Sequence, residues 1–186
     1  MTHGATVDPV LVCQWLSLPL EGLLRTCKQS RYQGSGPGGQ KRNRVYSGVR
    51  LTHEPSGLSI EAEARRESLG NLDDALHKLR IQLALSITQF KGGDVKNDST
   101  LPLEIENSSV FTSPAFRTKV SESHFDFPKF VFRAVYFLIK YEGQISGAAE
   151  SLGCTASALT RFLKIDKGVW ATAKGIRERY GLHALK

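Results

Sequence analysis

Residues 34–39 read Gly-Ser-Gly-Pro-Gly-Gly, and this run constrains the fold more than any other stretch of the chain. Four glycines and a proline within six positions break helix and strand alike, so an irregular loop must interrupt the regular structure around it. The residues after it say what that structure is. Residues 49–53 (Val-Arg-Leu-Thr-His) alternate apolar and polar, as a half-buried strand requires. Glu54-Pro55-Ser56-Gly57 supplies turn chemistry. Alternation then resumes, with Leu58, Ile60, Ala62 and Ala64 facing one way and Ser59, Glu61 and Glu63 the other. The two runs predict a hairpin. Beyond it, Leu72, Ala75, Leu76, Leu79, Leu83 and Ile87 recur every three to four residues and predict one long helix with a single buried stripe. That stripe would pack on the apolar face of the hairpin.

Outside this unit the patterns are helical. A short helix is expected over residues 19–27, where Pro19 suits a first turn and Leu20, Leu23 and Leu24 share a face. Residues 91–117 are rich in Gly, Ser, Thr, Asn and Asp, with Pro102 and Pro114, and read as a linker with one short extended piece at 101–105. Pro128 opens a helix whose Phe130, Ala134, Phe137 and Tyr141 continue one face until Gly143. Next come residues 145–152, a turn at Gly153-Cys154, a capping Thr155 and a second helix over 156–165. Ala148, Ala149, Leu152, Gly153, Leu159 and Phe162 provide the small and apolar positions of a helix-turn-helix. A last helix over 168–180 ends at Gly181, a left-handed cap. Phe130, Phe132, Phe137 and Trp170 read as core. The expected fold class is α+β. A helical extension (1–28) precedes a short antiparallel sheet packed on a long helix (29–90), a linker (91–124) and an all-α, helix-turn-helix-like domain (125–186).

The net charge of +7 is unevenly spread. Arg31, Lys41, Arg42, Arg44 and Arg50 fall within residues 29–50 without a single acid. Arg161, Lys164, Lys167, Lys174, Arg177, Arg179 and Lys186 crowd the C-terminal segment against only Asp166 and Glu178. Two basic patches point to polyanion contacts in two places, nucleic acid being the commonest polyanion; the alternative is a solvated basic surface. The three cysteines and five histidines are scattered without metal-ligand or redox spacing, so no metal and no cofactor are expected. No apolar run reaches the roughly 18 residues of a membrane span, and Met1 to Asp8 lacks the basic start of a signal peptide. A cytoplasmic monomer with no membrane partner is the expectation.

Gly38-Gly39-Gln40 is by itself a weak motif. With 17 glycines in the chain, composition alone produces such a triplet about 0.06 times per chain. Its frame is far more specific. Ser35-Gly36-Pro37 precedes it; Asn43, Arg44, the run 49–53, Pro55-Ser56-Gly57, Arg66 and Asn71 come after it. Together these residues resemble the catalytic domain of class I peptide chain release factors and of the small bacterial rescue factors related to them, over residues 29–90. The resemblance implies hydrolysis of the peptidyl-tRNA ester on the ribosome, with Gly38, Gly39 and Gln40 as the catalytic loop. Glycines let a narrow backbone approach an ester buried in ribosomal RNA. A backbone N–H then stabilises the negative charge that develops on oxygen. In the family the Gln amide has that role and its side chain positions water; many members carry a methylated Gln. Lys41, Arg42 and Arg44 would grip phosphates beside the loop. Asn43 would fix the chain after it, and Arg66 and Asn71 would serve the hairpin–helix junction. The alternatives are a long turn or a phosphate cradle, and the latter lacks its Gly-Lys-Ser/Thr ending.

Decoding release factors also carry stop-codon-reading domains that 186 residues leave no room for, so a codon-independent release or rescue factor is expected. The expected partners are large-subunit ribosomal RNA and peptidyl-tRNA. Small-subunit RNA would meet Arg161, Lys164, Lys167, Lys174, Arg177 and Arg179 of the helical domain. Small rescue factors place a basic tail in an empty messenger channel; here a folded helical module stands in that place. Thr155, Ser157 and Thr160 offer little for reading DNA base edges. The competing reading is a nucleic-acid-binding regulator that retains the Gly-Gly-Gln domain as an inactive scaffold.

Overall fold

The computed structural model describes residues 8–33, 46–89, 105, 108–112 and 115–183. Helices α1 (Pro9–Ser17) and α2 (Leu20–Arg25) precede strand β1 (Cys27–Tyr32). Strands β2 (Gly48–His53) and β3 (Ser59–Ala62) lead into α3 (Ser68–Ser86), which a 3-10 turn at Ile87–Gln89 prolongs. Then come the single turn α4 (Ser109–Thr112) and four helices: α5 (Phe127–Lys140), α6 (Ile145–Ser151), α7 (Ala156–Leu163) and α8 (Lys167–Arg179). The class is α+β. The described residues divide into two compact units, one within 18–82 and the other within 8–17 and 83–183.

In the first unit the strands form an antiparallel sheet in the order β1-β2-β3. Central β2 pairs Val49 with Arg31 and Ala62, and Leu51 with Gln29 and Ile60. Register partners share a face, so Val49, Leu51, His53 and Ala62 turn inward. With Ala75, Leu76 and Leu79 of α3 they make the buried interior of this unit. The predicted hairpin and helix stripe are present; Ala64, expected on the inner face, lies beyond β3 and is exposed. Strand β1 was not legible in the sequence. Cys-Lys-Gln-Ser-Arg-Tyr has no apolar alternation, and the strand is held by backbone pairing to β2 with its side chains largely exposed. The helix expected over 19–27 stops at Arg25 for the same reason. Thr26 turns the chain, its hydroxyl donating to the Leu23 carbonyl at 2.6 Å and its own carbonyl accepting from Glu54 N–H at 3.1 Å.

In the second unit α5 is buried over nearly its whole circumference, from Phe127 through Leu138, and is therefore the central helix. Helix α1, which no periodicity in the sequence announced, starts on the Asp8 carboxylate (Val10 N–H, 2.8 Å) and buries Val12, Cys13 and Leu16. Helix α4 falls inside the stretch that reads as linker. Its Val110 is buried, and Phe111 stands edge-on to Phe132, Tyr136 and Phe137 with ring centroids 5.9 to 6.1 Å away. Arg133 donates to the Phe111 carbonyl and lies over its ring. Two apolar side chains in a polar stretch were enough to draw it into the core. Of the expected extended piece, residues 101–104 lie outside the described residues, while Ile105 is buried and helical.

The C-terminal helices follow their punctuation. The Thr155 hydroxyl accepts from Ala158 N–H at 3.2 Å to open α7, and Asp166 accepts from Val169 N–H at 2.7 Å to open α8. Gly181, at φ 68, ends the last helix in the left-handed region as expected. Phe130, Phe132 and Phe137 are core; Trp170 is half-buried, with the Lys164 ammonium 5.1 Å from its ring.

Phe162 is fully buried, 5.3 Å from the Phe116 ring and 5.5 Å from that of Phe127. Phe162→Ala should cost the second unit about 3–5 kcal/mol. Urea unfolding followed by fluorescence reads this unit selectively, because both tryptophans, Trp15 and Trp170, lie in it. In the first unit burial holds the His53 imidazole below its usual range near 6.5. The unfolded chain then binds the proton more readily, so the contribution is complete above pH 6.5 and is lost as pH falls below it. The urea midpoint of this unit, read by circular dichroism, should drop between pH 7.5 and 5.5, and His53→Gln should flatten that drop.

Candidate catalytic-loop site

Gly38, Gly39 and Gln40, with Ser35, Gly36, Pro37, Lys41, Arg42, Asn43 and Arg44, lie outside the described residues. The frame on either side of them is described. The last residue of β1 and the first of β2, Tyr32 and Gly48, are register partners, so the intervening segment leaves and returns at adjacent points of one sheet. Closing a segment of this length costs chain entropy, which the two strands offset through their ladder.

Three devices hold that base. The first is a close approach. A Cβ on Gly48 would stand 2.8 to 2.9 Å from three carbons of the Tyr32 ring, so the ring lies across the glycine and a larger residue there would push it aside. The second is a set of charges on the outer face of the sheet. The Arg50 guanidinium lies 5.7 Å from the Tyr32 ring centroid and donates to Glu61 Oε1 at 2.7 Å through Nε. Burial, then the carboxylates of Glu63 and Glu61, holds the Tyr32 phenol above its ordinary range, keeping it a neutral donor to Glu63. The third is Asn71. Fully buried at the start of α3, it donates through Nδ2 to the Ser47 carbonyl at 2.7 Å and the Arg65 carbonyl at 2.9 Å, and accepts from Arg65 N–H at 2.8 Å. One amide thereby joins the end of the loop, the exit from β3 and the first turn of the helix.

Arg31 is exposed on edge strand β1, and Arg66 is exposed between β3 and α3. Its neighbour Arg65 is the engaged one, gripping both Asp74 oxygens at 2.8 Å. Tyr32, Ser47 and Gly48 had no sequence signal beyond their nearness to the glycine run, because their roles depend on a strand pairing that periodicity did not reveal.

The C-terminal cations occupy different settings. Arg161, Lys164 and Lys167 are exposed, while Lys174 and Arg177 are partly covered. Arg177 donates to the Gly143 carbonyl at 2.6 Å and to the His183 carbonyl through Nε and Nη2. Arg179 donates to the Thr88 carbonyl at 3.2 Å. The cysteines show no sign of nucleophilic activation. Burial pushes Cys13 up to about 12 and also raises Cys27 and Cys154. Among the described residues no group of His, Cys, Asp and Glu is placed to hold a metal, and no helix is long and apolar enough to cross a membrane.

Comparison with known proteins agrees with the resemblance in the loop. The RF-1 domain model matches residues 25–119, just over half of the chain, and the chain belongs to that family of class I release-factor-like proteins. It is similar to peptide chain release factor 1 of Amoebophilus asiaticus (strain 5a2), at 39% identity over 81 residues, 44% of this chain and 23% of the relative. Peptide chain release factor 2 of Lactiplantibacillus plantarum (strain ATCC BAA-793 / NCIMB 8826 / WCFS1) is 44% identical over 52 residues, 28% of this chain and 14% of the relative. The matched stretches thus span a quarter or less of these curated relatives. No solved structure gives a significant match.

Removing the Asn71 amide breaks three part-buried hydrogen bonds, to the Ser47 carbonyl and to the Arg65 carbonyl and N–H. Asn71→Ala should therefore destabilise the first unit by about 1–3 kcal/mol. Asn71→Asp, which keeps the acceptor but turns a carboxylate toward two carbonyls, should cost at least as much in the urea midpoint read by circular dichroism.

Proposed function

We propose that this chain hydrolyses the ester joining a nascent peptide to tRNA on the ribosome, as a release or rescue factor without a codon requirement. One observation carries the reading: the RF-1 family match runs through the Gly-Gly-Gln triplet, and the relatives it identifies are named as peptide chain release factors 1 and 2. The described frame supports it, since Asn71, Tyr32 and Gly48 tie down both ends of the segment that carries Gly38, Gly39 and Gln40.

In this reading the two glycines bring backbone rather than side chain against the ester. The Gln40 N–H stabilises the charge on the carbonyl oxygen and then on the departing ribose oxygen, and the Gln40 side chain positions the attacking water. No protein group need titrate in the step. Lys41, Arg42, Arg44 and Arg31 hold ribosomal RNA phosphates around the loop, while Asn43 and Arg66 brace it. The helical unit, with α6 and α7 as a helix-turn-helix-like pair, docks on ribosomal RNA through Arg161, Lys164, Lys167, Lys174, Arg177 and Arg179. The helical segment C-terminal to the family match, in which Phe127 packs against Phe162, supplies a second surface through which a codon-independent factor would meet the ribosome.

Peptide release from purified ribosomes carrying labelled peptidyl-tRNA tests this. Wild-type protein should release peptide on truncated messenger. Gly39→Ala should lower the release rate at least about 100-fold, the scale of losing an aligned oxyanion donor, while sedimentation with ribosomes persists. Undiminished release by Gly39→Ala would overturn the mechanism, and no release by wild type on any messenger would favour an inactive scaffold that only binds nucleic acid.

A further inference from the structure

A groove of about 630 Å³ opens on the helical unit between the start of α6, the start of α7 and the chain beyond α8. Its lining is chemically asymmetric. Ile145 and Leu182 present apolar walls, Gln144 and Ser157 present neutral polar groups, and Arg161 and Arg177 are its charged residues. None of the lining residues is acidic.

The two arginines differ in a way that matters. Arg177 is fixed, its guanidinium bonded to the carbonyls of Gly143 and His183. Those acceptors are neutral, so they orient the cation without cancelling its charge. Arg161 is exposed on α7 and makes no ion pair among the described residues. One cation is built into the wall and the other is available at the rim. A groove that concentrates positive charge and excludes carboxylates is matched to an anion. Its volume and its apolar walls ask for something larger than a bare phosphate.

We propose that this groove binds an unpaired nucleotide of single-stranded RNA, with phosphate on Arg161, ribose hydroxyls on Gln144 and Ser157, and base between Ile145 and Leu182. The shape argues against a duplex. A helix that reads duplex DNA projects long side chains from its start into the major groove. Here the start of α7 is Ala156 and Ser157, too short to reach base edges, so the groove suits an unpaired nucleotide laid along an open surface rather than a duplex read by an inserted helix. This deepens the ribosomal reading above and rests on it for the choice of RNA. In that setting the ligand would be an unpaired ribosomal or messenger nucleotide held by the helical unit.

The test is fluorescence anisotropy of the full chain with a labelled octauridylate at about 100 mM salt, beside its deoxy analogue and a duplex of equal length. Wild type should bind the single-stranded RNA in preference to both. Arg161→Glu, at an exposed helical position, should weaken binding at least tenfold. Ser157→Trp, which fills the groove without changing charge, should do the same. Lys119→Glu makes an equal charge change at an exposed position outside the groove lining and should cost less than threefold. Equal losses for Arg161→Glu and Lys119→Glu would reduce the effect to a diffuse field and overturn the site. So would duplex binding as tight as single-stranded, or unaltered binding by Ser157→Trp. Absence of any oligonucleotide binding overturns it too and leaves the groove to an acidic protein segment. The release assay separates this proposal from the one it rests on. Octauridylate binding without peptide release sinks the hydrolase reading alone, and release without groove-dependent binding sinks the groove alone.

Discussion

The side-chain amide of Asn71 is the point through which the first unit holds together. Its three hydrogen bonds reach the residue that ends the long loop, the chain leaving β3 and the helix on which it sits. A buried amide has few ways to satisfy all its groups at once, so it accepts a single arrangement of these three segments. Strand pairing sets where the loop leaves and returns, but pairing alone tolerates rotation and fraying at a strand end. Asn71 and the Tyr32–Gly48 contact remove that tolerance, one from the inner side of the sheet and one from the outer. In the proposed reading, a loop that delivers a backbone N–H to a reacting ester needs such a base, since misplacement by about 1 Å is costly in rate.

Charge is managed differently in the two units. In the first, Arg50 and Arg65 are neutralised by Glu61 and Asp74, so part of the basic composition is structural pairing on the sheet and the helix. The cations around the glycine run have no acid near them in sequence. In the second unit Arg177 and Arg179 are spent on backbone carbonyls, which orients them and leaves their charge standing. A formal charge of +7 therefore understates the local positive charge of the two basic segments, because every acid except Asp166 and Glu178 lies outside them.

Much of this was legible from residue order. Hairpin strands at 48–53 and 59–62, the long helix and the four C-terminal helices follow from apolar period and from Pro128, Thr155 and Gly181 at their ends. Such signals are local, and a chain can satisfy them with neighbours a few positions away. Strand β1 and helices α1 and α4 were not legible. β1 lacks alternation because it is an edge strand with few inward side chains to bury. α4 is too short to show a period and is held by Phe111 against α5, a partner distant in sequence.

The same division applies to function. Order and spacing alone determined the family, since Gly38-Gly39-Gln40 in its frame of Pro37, Asn43, Arg66 and Asn71 carries the resemblance without any fold, and the RF-1 match agrees with it. Tertiary structure decided the partners. It joined Asn71 to Ser47, laid Tyr32 over Gly48, fixed Arg177 on carbonyls and left Arg161 at the rim of a groove. The reason is physical: periodicity tells which side of an element is buried, whereas contact across many residues is set by packing and by the pairing of buried polar groups.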